Sequence, residues 1–408
     1  MERIAIVDGI RTPFCKMGTS FNNISAVELG RIACRELIER TGLDVKNIDE
    51  VIFGCVSQPA DAANIARVIG LLAGVPKTTP AYTVHRNCAS GIESVVSAAL
   101  KIHAGEGSCI LAGGTESMSN IPLFFSKEAQ DLFGALQRAK TPLSKLQAML
   151  RFRPHHFAPR IGLALGLTDP VCGLNMGQTA EVLVKEFGIT RKEQDEFALR
   201  SHQRAIAARA VLREEIVPVI AGPKYKEAVQ DDNGPREGQT MEALAKLKPF
   251  FEKGTGTVTA GNSSQVTDGA CAILVMSEAR AKELGYTPLG YMTSFAFAGV
   301  EPARMGIGPA FAIPKALKKI GKKLSDMQAI EINEAFAAQV LACARELDVD
   351  PVKLNANGGA IALGHPVGSS GSRLIVTMLK HLKRNNLNTG IVSLCVGGGQ
   401  GAAVVLER

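Results

Sequence analysis

The chain has 408 residues, 46% hydrophobic and 21% charged, an ordinary balance for a soluble globular protein of two or three domains or one duplicated unit. A formal charge of +7 is modest over this length, and there is no long Lys/Arg run, zinc-finger spacing or basic aromatic stripe, so nucleic acid is not an expected partner. The nine cysteines are odd in number and never in Cys-x-x-Cys spacing, which argues against a secreted disulfide framework and against a zinc cluster; no metal is expected.

Taken in order, residues 4–7 read as a strand, with no signal peptide or Arg-rich presequence before them. No stretch approaches the length of a membrane span. The expected location is cytoplasmic, with a membrane-associated form and a processed organellar protein as alternatives. Residues 26–39 and 91–102 carry helical periodicity, and 51–53 and 109–111 read as strands. This alternation predicts α/β layering around a buried, largely parallel sheet.

The segment 126–154 is distinctive. Thr141 followed by Pro142 is a helix-start signal, and Leu143, Leu146, Met149 and Leu150 then fall at helical spacing. Arg138, Lys140, Lys145, Arg151 and Arg153 make the stretch basic, with no acidic residue between. Two readings stand: a helix packed on its own protein with a solvated basic face, which the segment alone favours, or a helix lying on an anionic membrane.

The end of the chain echoes its beginning at an offset of roughly 280 residues. Thr41-Gly42-Leu43 before residues 48–53 matches Ile320-Gly321-Lys322 before 327–332. Cys88-Ala89-Ser90-Gly91 opening one helix matches Gly368-Ser369-Ser370-Gly371 opening another. Each is followed by a strand and glycines, Gly113-Gly114 in one case and Gly397-Gly398 in the other.

Four motifs carry chemistry. In Asn87-Cys88-Ala89-Ser90-Gly91 a cysteine sits where a helix begins, and free amides with the helix dipole favour its thiolate. In Gly364-His365-Pro366, after a glycine-rich run, a stiffened histidine can take a proton from a nearby cysteine. In Cys395-Val396-Gly397-Gly398-Gly399 a second cysteine meets glycines whose amides can approach a ligand oxygen. In Asn333-Glu334-Ala335-Phe336 an asparagine after a strand can hold a water, although a plain turn with an asparagine cap explains it as well. Gly397, Gly399 and Ala402 also fit a loose dinucleotide pattern, but 402–406 reads as a strand and the required helix is missing.

In order and approximate spacing, these four motifs resemble those of the thiolases, and the likeness runs from Arg11-Thr12-Pro13-Phe14 to Val404-Val405-Leu406-Glu407. The resemblance implies two duplicated five-stranded α/β halves in a layered α-β-α-β-α arrangement, plus a loop domain. The halves would be 1–118 with 249–287 and 288–408, and the loop domain 119–248. It implies cleavage of 3-ketoacyl-CoA through an acyl-cysteine, in β-oxidation, with coenzyme A as substrate and no permanently bound cofactor. The implied roles are Cys88 as nucleophile, His365 as its base, Cys395 as the α-carbon acid/base, Asn333 as holder of a water, and the Cys88 and Gly397 amides as oxyanion donors. For coenzyme A and the acyl wall it points to Arg236, Ser264 and Met176, although relatives often carry His-Met where this chain has Asn175-Met176. The insertion 126–157 looks most like the β subunit of the fatty-acid-oxidation trifunctional complex, which implies membrane contact through 126–154 and an α subunit supplying hydratase and dehydrogenase. Those β subunits can carry histidine at the place of Asn333, so a stand-alone homodimer or dimer of dimers is the other expectation. Competing functions are acetoacetyl-CoA thiolysis, a ketoacyl-synthase-type condensing enzyme, which would lack Cys395, and a carrier or scaffold, which would have lost a motif.

Overall fold

A computed structural model describes residues 2–221 and 227–408. It divides into two compact units, one of residues 2–120 and 169–408, the other of 121–168.

The large unit is organised by one long sheet. Its strands are β1 (Ile4–Arg11), β2 (Glu50–Gly54), β3 (Ala81–Val84), β4 (Cys109–Glu116), β5 (Thr267–Ser277), β6 (Gly290–Gly299), β7 (Ala329–Ile332), β8 (Thr389–Val396) and β9 (Gln400–Glu407). The order is β7-β8-β9-β6-β1-β5-β4-β2-β3, so the first half of the chain forms one end and the second half the other. The halves meet where β1 pairs with β6 through Ile4–Met292, Ala5–Tyr291 and Ile6–Gly290. The internal echo is therefore real: β4, β5 and β1 in one half correspond to β8, β9 and β6 in the other. The second half departs from five strands, however. Beyond β7 only a single bridge, Ile330 to Leu354, stands where a fifth would pair.

The expectation of a largely parallel sheet is also corrected. β2 pairs in parallel with β3 and β4, and β7 with β8, but the other pairings along the sheet are antiparallel. A strand covered on both faces reads as a continuous apolar run whichever way its neighbour points, so periodicity could not tell the two apart. β8 and β9 are a tight hairpin turned by Gly398 and Gly399, both at positive φ (88° and 79°).

Five layers result. Helix α1 (Ala26–Thr41) begins at Ser25, whose hydroxyl accepts the Glu28 amide, and ends at left-handed Gly42. Its face of Leu29, Ala33 and Leu37 packs with α2 (Ile65–Leu72) on the outer side of the first half-sheet. Helices α3 (Ser90–His103) and α10 (Val367–Arg384) fill the centre, between Ile110, Ala112 and Ile273 of one half-sheet and Val392, Leu394 and Val404 of the other. Helices α8 (Gly308–Lys318) and α9 (Ala337–Leu347) cover the far face.

The two central helices touch backbone to backbone. A Cβ on Gly91 would lie 2.6 Å from the Ser372 nitrogen, and one on Gly371 would lie 2.5 Å from the Ile92 nitrogen. Only glycine permits this approach, and it brings the start of α3, just after Cys88, beside the start of α10, just after His365.

Buried Arg11 ties further loops to this frame. Its guanidinium binds Glu215 at 2.7 Å and Asp232 at 2.6 Å, and Asp232 also accepts the Phe14 amide at 2.7 Å. Paired on two sides, the buried charge keeps its hydrogen bonds and fixes the chain that leads to Arg236.

The small unit contains α4 (Lys127–Arg138) and α5 (Pro142–Met149). Thr141 caps α5 reciprocally with Ser144, as the Thr-Pro signal predicts. It carries a cluster of Phe125, Phe133, Phe152 and Phe157, with neighbouring ring centroids 5.0–5.5 Å apart, of which Phe125, Phe133 and Phe157 remain 38–55% exposed. The apolar positions of α5 are not part of it. Leu143, Leu146, Met149 and Leu150 are 53–65% exposed, while α5 meets α4 within the small unit.

Candidate active site

Four loops converge where the central helices begin. Asn87, at φ 42°, turns the chain after β3 into α3, and its side-chain amide donates to the Gly397 carbonyl at 2.7 Å. Ser90 closes the same turn, accepting the Arg86 amide at 2.9 Å and donating to the Asn87 carbonyl at 2.7 Å. Cys88 is thereby presented to the Gly397 loop. Cys88 and Cys172 are the only partly exposed cysteines; the other seven are buried.

The backbone amides of Gly397 and of Cys88 itself favour the Cys88 thiolate. They pull its pKa down, but burial outweighs them and the Glu116 charge adds to the rise, so the thiol lies above its ordinary value. The sequence reading of a thiolate stabilised by the helix start is corrected: the resting group is a thiol that needs a base. Cys395, at the end of β8, is buried and pushed up further, by desolvation first and then by neighbouring Cys88 and Cys343. It is a proton donor at neutral pH.

His365 is buried and held from its backbone, which donates to Gln265 O and Thr267 Oγ1, each at 3.2 Å. Ser370, on the first turn of α10, donates its hydroxyl proton to the Pro366 carbonyl at 3.0 Å. Its oxygen lies 2.6 Å from His365 Nδ1; with the hydroxyl proton on the Pro366 carbonyl, Nδ1–H is the donor in that contact. In that tautomer Nε2 carries the lone pair, and it has no partner among the described residues. Burial, with the charge of Arg373 adding, pushes the imidazole down to about 4. It is neutral at pH 7 and able to accept a proton.

Asn333 follows β7 and is buried, its backbone amide bonded to the Ser393 carbonyl at 2.9 Å. Its side-chain nitrogen is 3.5 Å from His365 Nδ1, too far for a useful bond. Its Oδ1 is buried without a partner among the described residues. The site thus holds two buried polar atoms able to meet a polar ligand, Asn333 Oδ1 and His365 Nε2.

Met176 opens helix α6 (Met176–Phe187), with Asn175 as cap accepting the Gln178 amide at 2.9 Å. Asparagine therefore does a helix-start job at this position. The Met176 sulfur lies 3.4 Å from a Cβ built on Gly397, in one apolar cluster with Cys395 and Phe336. Met176 thus stands at the Gly397 loop, and its cluster includes Ala335, the residue that Ser264 meets. Ser264 is half-buried, with its amide on the Ala335 carbonyl at 2.9 Å. Arg236 is exposed, and its backbone amide donates to His202 at 3.2 Å. Gln265 links these places, donating to Gly234 O at 3.2 Å and approaching Ile361 O at 3.4 Å.

In the small unit Glu128, His155 and His156 bring ligand-type atoms within 4.8 Å. His156 Nδ1 accepts the Arg153 amide at 3.0 Å, so the neutral ring carries its proton on Nε2 and offers no free lone pair. That chemistry does not suit a cation.

Sequence reasoning singled out the residues with reactive atoms and passed over those that hold them: Asn87, Ser370, Glu116 and Glu334. Asn87 alone left a signal, as a residue type tolerant of positive φ just before a cysteine.

Two family models match, described as the thiolase N-terminal domain over residues 4–279 and the thiolase C-terminal domain over 286–408. The chain is 41% identical to a 3-ketoacyl-CoA thiolase of Pectobacterium carotovorum, covering 100% of this chain and 97% of that one. It is 42% identical to a probable acetyl-CoA acyltransferase of Staphylococcus aureus, over 100% of both. Among solved structures, a Bacillus anthracis acetyl-CoA acetyltransferase matches with TM-score 0.91 and 41% identity, over 100% of this chain and 99% of that one. Human mitochondrial 3-ketoacyl-CoA thiolase in complex with CoA matches with TM-score 0.90 and 38% identity, over 100% and 98%.

The depressed His365 pKa has a direct kinetic consequence. A base that stays neutral until about pH 4 should hold kcat/KM on the acid side from pH 7 down to roughly pH 5. A pH–rate profile with an acid limb at the ordinary histidine value, near 6.5, would contradict this environment.

Proposed function

Because the chain belongs to the thiolase family, we propose that it carries its acyl group as a thioester on Cys88, formed with His365 as base and Cys395 as acid. It is a CoA-dependent acyltransferase that cleaves 3-ketoacyl-CoA to acetyl-CoA and a shortened acyl-CoA. The observation that carries the residue assignment is the backbone contact of Gly91 with Ser372 and of Gly371 with Ile92, which sets the helix start after Cys88 beside the helix start after His365, with the thiol protonated and the imidazole neutral.

The steps follow from those protonation states. His365 Nε2 takes the Cys88 proton as the sulfur attacks the keto carbon, and the two amides stabilise the oxyanion. The bond between the α-carbon and the keto carbon breaks. The electron pair leaves as the acetyl-CoA enolate, and the Cys395 thiol protonates its carbon. Asn333, through a water, and the newly protonated Nε2 meet the enolate oxygen. In the second half, free coenzyme A gives its thiol proton to the Cys395 thiolate and attacks the acyl-Cys88 thioester. Cys88 leaves and recovers its proton from His365, so both cysteines end as they began.

Arg236 would meet the nucleotide end of coenzyme A, Ser264 its pantetheine arm, and Met176 the acyl wall. The degradative direction is the downhill one. We assign the working form as a dimer or dimer of dimers. Support comes from β3, which ends the sheet with Ala81, Tyr82 and Val84 half-exposed and one edge unpaired by any described strand. The basic, apolar-exposed α5 supports contact with an anionic lipid surface. No helix among the described residues is long and apolar enough to cross a membrane, so that contact would be peripheral. An α subunit with hydratase and dehydrogenase activity is the matching partner, because it would produce this substrate.

Thiolysis of 3-ketoacyl-CoA from acetoacetyl-CoA to long chains, in wild type and Cys88→Ala, tests the assignment. Activity should rise with chain length, and the variant should lose at least roughly 10,000-fold in kcat. Activity confined to acetoacetyl-CoA would restrict the enzyme to acetyl transfer, and a fully active variant would remove Cys88 from the chemistry. For the lipid surface, sedimentation with phosphatidylserine vesicles should pull down wild type but not Leu146→Glu/Leu150→Glu, with thiolysis unchanged. Equal recovery of both proteins would end the membrane proposal.

A further inference from the structure

Two buried carboxylates bracket the segment that carries His365, and neither takes part in the steps above. Glu116, the last residue of β4, accepts the amides of Val56 at 3.1 Å, Ser57 at 2.8 Å and Gly368 at 3.0 Å, with the Cys55 thiol at 3.8 Å. Gly368 lies in the first turn of α10, just past His365. Glu334, beside Asn333, accepts from the Ser201 hydroxyl at 2.6 Å, the Asn355 side-chain amide at 2.9 Å and the Ile361 amide at 3.2 Å. Ser201 Oγ in turn accepts the Gly359 amide at 3.2 Å. Gly359 and Ile361 belong to the glycine loop just before His365. A Cβ on Gly359 would sit 2.3 Å from the Glu334 carboxyl carbon, so loop and carboxylate are in direct contact.

We propose that Glu116 and Glu334 are positioning residues that clamp the His365 segment from its two sides and so set the aim of Nε2. The proposal rests on the assignment of His365 as the base for Cys88.

The chemistry of each carboxylate's surroundings is one-sided. Every described partner is a donor: amides and a thiol around Glu116, a hydroxyl and two amides around Glu334. Asn355 cannot turn over to offer an acceptor, because its Oδ1 holds the Ile332 amide at 2.9 Å while its Nδ2 also serves the Ile332 carbonyl at 3.0 Å. An ionised carboxylate, which has acceptors alone, satisfies every donor of such a ring. Burial works against the charge and raises both groups, Glu116 to about 7, while the donors pull back down. Glutamine has nearly the same shape but would turn an NH2 group against at least one donor, and a mispaired buried donor moves the loop it belongs to.

The test measures kcat, KM and the rate of Cys88 alkylation by iodoacetamide, read by peptide mass spectrometry, in wild type, Glu116→Gln, Glu334→Gln, their Asp counterparts and Ser201→Ala. The expected result for each Gln variant is a kcat loss on the order of 10- to 100-fold with KM within about twofold. Alkylation of Cys88 should slow in parallel and shift to higher pH, and the Asp variants should recover part of both. Ser201→Ala removes one donor to Glu334 and the acceptor of the Gly359 amide while leaving the carboxylate in place, so it should show a smaller loss in the same direction even if a Gln variant does not fold. Folded variants whose Cys88 alkylation matches wild type would overturn the clamp, whatever their melting temperatures. Wild type that is not alkylated at Cys88 would instead overturn the nucleophile assignment, which is a separate failure.

Discussion

The contact between Gly91 and Gly371 is the constraint from which the rest of the site follows. Two helices of the buried centre meet there at a separation that leaves no room for a Cβ on either side. Each helix starts from a loop of its own half of the chain, so the contact joins halves that are far apart in sequence. Cys88 precedes one helix and His365 the other. The two residues proposed as nucleophile and base are thus held beside a close backbone contact of the buried centre. The same crowding recurs nearby, where a Cβ on Gly114 would lie 2.0 Å from the Gly368 carbonyl oxygen. Small residues at the crossing trade side-chain packing for close backbone approach, and Arg11 with Glu215 and Asp232 locks the loops outside it.

Burial then decides the electrostatics. Helix start and glycine amides favour a thiolate at Cys88, but desolvation wins and keeps the thiol protonated. The same desolvation keeps His365 neutral and Cys395 protonated. The outcome is a resting site without net charge on its reactive groups, in which charge develops only when sulfur attacks. Preorganised amides are then worth most, because they meet a charge that the ground state lacks. The carboxylates Glu116 and Glu334 stand outside this group and bear the negative charge where amide donors surround it.

The duplicated halves and the reactive residues were legible in the sequence, because small-residue turns before helices and a repeated strand–glycine pattern leave local marks. Cys88, His365, Cys395 and Asn333 all lie on such marks. Strand direction was not legible, since β5 and β9 are buried on both faces and look like parallel strands. The fifth strand of the second half was expected from the family resemblance, yet around Leu354 only one bridge forms among the described residues. Ser370 and Glu116 were invisible because their value depends on partners far away in sequence, Glu116 reaching Gly368 across 252 positions. The segment 126–154 was legible as a capped, basic, amphipathic helix. Where its apolar side points is a tertiary fact, and Leu143 and Leu150 are exposed.

Everything in this account turns on which sulfur carries the acyl group. Incubation with a 3-ketoacyl-CoA in the absence of free coenzyme A, followed by acid quench and peptide mass spectrometry, would locate it. An acyl mass on the peptide containing Cys88, removed when coenzyme A is added, is the expected result. An acyl mass on Cys395, or none on either peptide while acetyl-CoA is still released, would contradict it.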